Sequence, residues 1–141
     1  MKSRLRLAGG IACAALAVSA CGDATVSVPP SFYVVDTFPD QGQVFPADAV
    51  TQIAVLFSAE VASGTLADNV KLSRVADDLE TPVADVALTF TTFEKRFDQA
   101  TFEPAPLAAG GAYRLEVLDG VEAAAGGKLS PRPAPVVFRT E

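Results

Sequence analysis

The sequence predicts an all-β protein, an antiparallel β-sandwich of about seven short strands, carried behind an N-terminal export segment. Three observations point there. From Phe32 onward apolar residues recur at every second position, the period that sends one set of side chains into a core and the other into solvent. Glycine and proline number ten each and gather between the alternating runs, where turns need them. After residue 31 no stretch carries a helical stripe of useful length.

Residues 1–20 read as a secretory signal. Lys2, Arg4 and Arg6 form a basic start, Leu7 to Val18 is apolar, and the small residues Ser19 and Ala20 come last. The apolar run is too short to span a bilayer, which takes about 20 helical residues. Val18-Ser19-Ala20-Cys21 resembles the lipobox of bacterial lipoproteins. The resemblance implies cleavage between Ala20 and Cys21, then a diacylglycerol and an N-acyl chain (a palmitate-type modification) on Cys21. Two or three chains at about 0.8 kcal/mol per buried CH₂ make a lasting anchor. Gly22 follows the cysteine and Asp23 comes one place later, so the resemblance leans to the outer membrane rather than the inner. The alternatives are an uncleaved anchor, or an ordinary signal with a chance cysteine.

Cleavage changes the balance of charge. The segment takes three of the 11 basic residues and none of the 17 acidic ones. Eight remain (11 − 3), for a net charge of −9 on 121 residues. That surface repels phosphate backbones, so nucleic acid is not an expected partner. Cys13 leaves and Cys21 is consumed by lipid, so no disulfide can staple the fold and the apolar core carries stability alone.

Residues 21–31 form the lipidated end and a short tether, small, polar and stiffened by Pro29-Pro30. At ~3 Å per residue the ten residues from Gly22 reach about 30 Å. The β domain then runs over 32–141. Phe32–Phe38 is the expected first strand, its inward set ambiguous, and Pro39-Asp40-Gln41-Gly42 turns the chain. Val50–Ser58 points Ile53, Val55 and Phe57 inward. A loop or single helical turn covers Glu60 to Asn69. Val70 and Leu72 face in, between Lys71 and Ser73.

Val83–Phe93 and Phe97–Glu103 flank the charged tip Glu94-Lys95-Arg96, the spacing of a β-hairpin. Pro104 and Pro106 end the pairing. Ala112–Leu118 sends Tyr113, Leu115 and Val117 inward, and Ala134–Thr140 closes the chain with Val136 and Phe138 inside. Ala123-Ala124-Ala125 fits one helical turn before Gly126-Gly127.

Several of these segments together resemble a known family. The order is Phe38-Pro39-Asp40-Gln41-Gly42, Ile53-Ala54-Val55-Leu56-Phe57-Ser58-Ala59-Glu60-Val61, Thr101-Phe102-Glu103-Pro104, Leu107-Ala108-Ala109-Gly110-Gly111-Ala112-Tyr113, the Gly120–Gly127 loop, and Val137-Phe138-Arg139-Thr140. It is similar to the bacterial Ig-like domain of S-layer and secreted surface proteins (SbsA type, Big_5). The family's pattern is P-x-x-G, I-x-V-x-F-S-x-x-V, F-x-P, L-x-x-G-x-x-Y, a D-x-x-G-N loop and F-x-T. The resemblance implies an Ig-like Greek-key sandwich. Glu122 replaces the usual aspartate and Gly127 the usual asparagine, so no ion-holding loop is carried over. Tyr113, just past Gly110-Gly111, resembles the tyrosine corner of Greek-key sandwiches; the alternative is an ordinary core tyrosine.

Composition narrows the chemistry. There is no histidine or tryptophan, which excludes Ser-His and Cys-His catalysis in the mature chain. Zinc and copper sites lean on the same missing ligands. Asp77, Asp78 and Glu80 are the carboxylate-pair candidates, but they sit in a hydrophilic break that reads as a solvated turn. Calcium needs only oxygen ligands; Asp36, Asp40, Asp119 and Glu122 lie near strand ends, yet no D-x-D-x-D-G run joins them. No metal or cofactor is therefore expected beyond the lipid on Cys21. The expected function is a non-enzymatic, membrane-tethered Ig-like module of the cell envelope. Its expected partners are the bilayer, through Cys21, and another envelope protein or cell-wall polymer. Alternatives are a glycan- or solute-binding lipoprotein and a carboxylate enzyme.

Overall fold

The computed structural model describes residues 31–141, so the expected signal, Cys21 and the tether before Ser31 lie outside the described residues. Nine strands form two sheets: β1 (Val34–Phe38), β2 (Val44–Phe45), β3 (Ile53–Phe57), β4 (Val70–Val75), β5 (Pro82–Val86), β6 (Leu88–Glu94), β7 (Gln99–Pro104), β8 (Ala112–Val117) and β9 (Val136–Thr140). One sheet has the order β1-β3-β7-β6, the other β2-β9-β8-β4-β5. All pairings are antiparallel except β2 with β9. This is the layout of an Ig-like sandwich. β1, β3, β7 and β6 take the ABED positions, β4, β8 and β9 the CFG positions, and β5 is the extra strand beside C.

The count exceeds the expected seven for two reasons. The expected strand over 83–93 is interrupted at Ala87. Val86 pairs with Leu72 in one sheet, whereas Leu88 pairs with Pro104 in the other. The period-2 pattern runs unbroken through this crossing, so alternation alone did not reveal it. β2 is only two residues long, too short for any periodicity to register.

Bulges explain two irregularities in the apolar spacing. Phe90 and Phe93 are three residues apart, which a regular strand would send to opposite faces. A register shift between Phe90 and Thr92 lets Phe90 pair with Phe102 and Phe93 with Ala100, so both pack on the core. A second shift between Val34 and Asp36 accounts for the ambiguous inward set of the first strand.

The core is built from the inward residues of both sheets. Ile53, Val55 and Phe57 of β3 share one cluster with Tyr113, Leu115 and Val117 of β8, Phe102 of β7 and Phe138 of β9. Each such side chain contributes roughly 1.5–3 kcal/mol of burial. Residues 63–69 form a 3₁₀ turn and one α-helical turn, which buries Leu66. The alanine run at 123–125 makes a tight turn rather than a helical one: Gly126 N–H donates to Ala123 O and Ala123 N–H to Gly127 O. Ser73 was expected in solvent but is buried. It lies opposite Arg114 on β8, whose guanidinium reaches to the β4–β5 turn and donates to Glu80 O.

Candidate functional site

Three places were singled out by the sequence: the Tyr113 corner, the acidic turns, and the end at which the tether joins. At the first, the Tyr113 hydroxyl accepts from Ala108 N–H at 2.8 Å and donates to Ala108 O at 3.2 Å. Its ring is buried and stacks on Phe138, centroids 5.6 Å apart. Gly110 has φ +68°, a conformation suited to glycine. At Gly111 a Cβ would fall 2.7 Å from the tyrosine ring, so only a residue without one fits.

Thr140 joins this cluster, a role the residue pattern held only as the last letter of F-x-T. Its hydroxyl donates to Ala108 O at 2.6 Å and accepts from Gly111 N–H at 3.1 Å. The loop before β8 is thus tied to both Tyr113 and the end of β9.

Asp77, Asp78 and Glu80 all lie in the β4–β5 turn, while the calcium candidates lie elsewhere, Asp36 within β1. Asp78 accepts from Thr81 Oγ1, Thr81 N–H and Glu80 N–H, and these bonds hold its carboxyl below the ordinary value of 3.8, the Thr81 hydroxyl first among them. A carboxylate kept ionised by its own turn is a cap rather than a proton donor. Among the described residues no three of the His, Cys, Asp or Glu side chains gather where they could hold a metal ion. Asp36 and Asp40 line one cleft. Asp119 lies 3.6 Å from Arg132, and Glu122 pairs across from Lys128.

The cleft beside Asp36 and Asp40 has a volume of about 270 Å³ and opens between β1 and the segment before β9, over Leu115 and Val117. Small-molecule pockets generally run from about 300 to 1,000 Å³. A larger depression, about 560 Å³, lies on the outer face of the five-stranded sheet beside the Asp78 turn. Its Arg114 gives Nη1 to Glu80 O and Nη2 to Glu116 at 3.0 Å, while the buried Nε has no partner among the described residues.

At the third place, the chain enters beside the end of β3. Ser58 Oγ donates to Ser31 O, Tyr33 N–H donates to Ser58 Oγ, and Ser58 N–H donates to Tyr33 O. Phe32 stacks on Phe57, and Ser130 N–H donates to Phe32 O. The β6–β7 tip reaches the same end, where Phe57 N–H donates to Asp98 O and Lys95 Nζ lies 2.6 Å from Glu60.

Comparison with known proteins identifies this arrangement. The family described as "Bacterial Ig-like domain" (Big_5) matches residues 27–140. The chain belongs to the bacterial Ig-like domain family. Its match begins within the stretch read as a tether and covers every strand of the sandwich. No curated protein matches the chain. Among solved structures, the N-terminal part of the bacterial S-layer protein SbsC is similar at 16% identity and TM-score 0.55, over 79% of this chain and 24% of that one. A structure of SbsC domains 1–6 is similar at 14% identity and TM-score 0.54, over 77% of this chain and 13% of that one. At such identities the likeness concerns the fold. This Ig-like chain spans about a quarter or less of the S-layer chains it matches.

Proposed function

We propose that this protein is a lipid-anchored envelope protein whose single Ig-like module is a non-enzymatic structural or protein-binding unit. The observation that carries the reading is the order of parts: an export segment ending in Val18-Ser19-Ala20-Cys21, a short spacer, and then an Ig-like sandwich. The fold is shared with S-layer proteins, which supports an envelope setting. The absence of histidine from the sequence and the use of Asp78 as a turn cap support a role without catalysis. The lipid on Cys21 fixes the module to a membrane, the outer one by the Gly22-Asp23 pattern, and the Tyr113 corner keeps the sandwich closed without a disulfide.

The test is labelling with a radioactive fatty acid in a bacterial host. Wild-type protein takes up label and sediments with membranes, and Cys21→Ser takes up none. Equal labelling of the variant overturns the anchor.

A further inference from the structure

The end at which the tether joins differs from the rest of the surface in two ways, the first being the cations set beside its exposed aromatic, since Phe38, Val44 and Val83 are exposed elsewhere. Phe97, at the tip of the β6–β7 hairpin, is 57% exposed, and Tyr33 beside the entering chain is 42% exposed. Phe97 is an expensive residue to leave in water, and the Arg96 guanidinium sits over its ring at 5.3 Å. Lys95 next to it is also largely in solvent. An exposed aromatic preceded by two cations with long stems, and followed by Asp98, matches what sits at a membrane–water interface. There the ring occupies the headgroup level and the charged heads stay wet.

Charge is the second difference. The described residues hold eight basic and sixteen acidic side chains. Four of the basic ones (Lys95, Arg96, Lys128 and Arg132) lie in the segments at this end, 31–33, 58–69, 94–98 and 118–132, against six acidic ones. The end is nearly balanced at −2 (4 − 6), while the remainder carries −6 (4 − 10). Lys95 is paired with Glu60, and Arg132 lies within 4 Å of both Glu116 and Asp119. Of the two ends of the sandwich, this one can approach an anionic bilayer with little repulsion.

We propose that the β6–β7 tip docks on the lipid surface, with Phe97 in the headgroup region and Arg96 and Lys95 at the phosphates, so that the sandwich stands with this end on the membrane. The proposal rests on the lipid-anchor reading above. Ser31 brings the chain in at the same end, and a spacer of about 30 Å keeps the tip within reach of the bilayer. One exposed phenylalanine binds lipid weakly by itself. A tether of this length raises the effective concentration to the millimolar range, which favours a contact too weak to form from free solution.

The chain has no tryptophan, so one can be introduced as a lone reporter. Full-length lipidated Phe97→Trp protein is reconstituted into vesicles of phosphatidylethanolamine and phosphatidylglycerol, with and without brominated acyl chains. Val83→Trp, on an exposed position of β5 toward the opposite end, is the control. The expected result is blue-shifted emission at position 97, with loss of intensity on brominated lipid, and neither effect at position 83. If the protein floats with the vesicles and position 97 is unquenched, docking is wrong while the anchor stands. Equal quenching at both positions also overturns docking of this end. If the protein does not float with the vesicles, the anchor fails and docking fails with it.

Discussion

Tyr113→Phe tests whether the corner before β8 holds the sandwich closed. The substitution keeps the ring, and with it the stacking on Phe138, so only the hydroxyl is lost. Two hydrogen bonds disappear, both to Ala108. The Ala108 carbonyl keeps the Thr140 hydroxyl at 2.6 Å, whereas its N–H loses the tyrosine oxygen. Ala108 is exposed, so water can recover part of that N–H, and the cost is about 1 kcal/mol rather than the full penalty of an orphaned buried donor. In a domain of this size that lowers Tm by about 4 °C. Thr140→Val should cost about 1–3 kcal/mol, because Thr140 is buried and Gly111 N–H loses its hydroxyl acceptor. Both hydroxyls donate to the Ala108 carbonyl, so the double variant should depart from additivity by about 0.5 kcal/mol or more. Urea melts of the four proteins give all three quantities. A Tyr113→Phe change indistinguishable from zero, or strict additivity in the cycle, refutes the shared-carbonyl reasoning.

Two further outcomes follow from the acidic groups. Asp78 has a folded pKa below its unfolded one, so its contribution is present above the ordinary value of 3.8 and is lost as pH falls from there through the lowered folded value. Asp78→Asn keeps an acceptor for the Glu80 and Thr81 N–H groups and should flatten that acid limb of the stability curve. A carboxyl NMR titration of Asp78 with its midpoint at or above 3.8 contradicts this. Calcium at millimolar concentration should leave the melting midpoint in place, since Asp36, Asp40, Asp119 and Glu122 are not gathered as ligands among the described residues; a rise of several degrees shows binding to the folded state.

Much of the sandwich could be read from residue order. Ile53, Val55 and Phe57, and again Tyr113, Leu115 and Val117, alternate without interruption and are all buried. Where a strand bends or changes sheets, alternation was a weaker guide. The Phe90–Phe93 spacing of three was the visible trace of a bulge, and Ala87, where the chain changes sheets, left no trace because the apolar period continues through it. Ser73 was misplaced for a different reason: it lies between Asp85 on β5 and Arg114 on β8, and the latter comes forty-one residues later, beyond any local pattern.

The sequence by itself determined an acidic all-β domain over 32–141, a Val18–Cys21 stretch ahead of it that resembles a lipobox, and the absence of histidine and of any thiol after Cys21. These follow from composition and short-range pattern, which need no knowledge of distant neighbours. Tertiary structure decided what meets what. It brought Thr140 to the Ala108 carbonyl beside Tyr113, left the suspected calcium ligands apart, and set the Lys95–Asp98 tip at the same end as Ser31. Those juxtapositions come from strand pairing between residues dozens of positions apart, and the register of such pairs is fixed by the packed core as a whole rather than by any local stretch of chain.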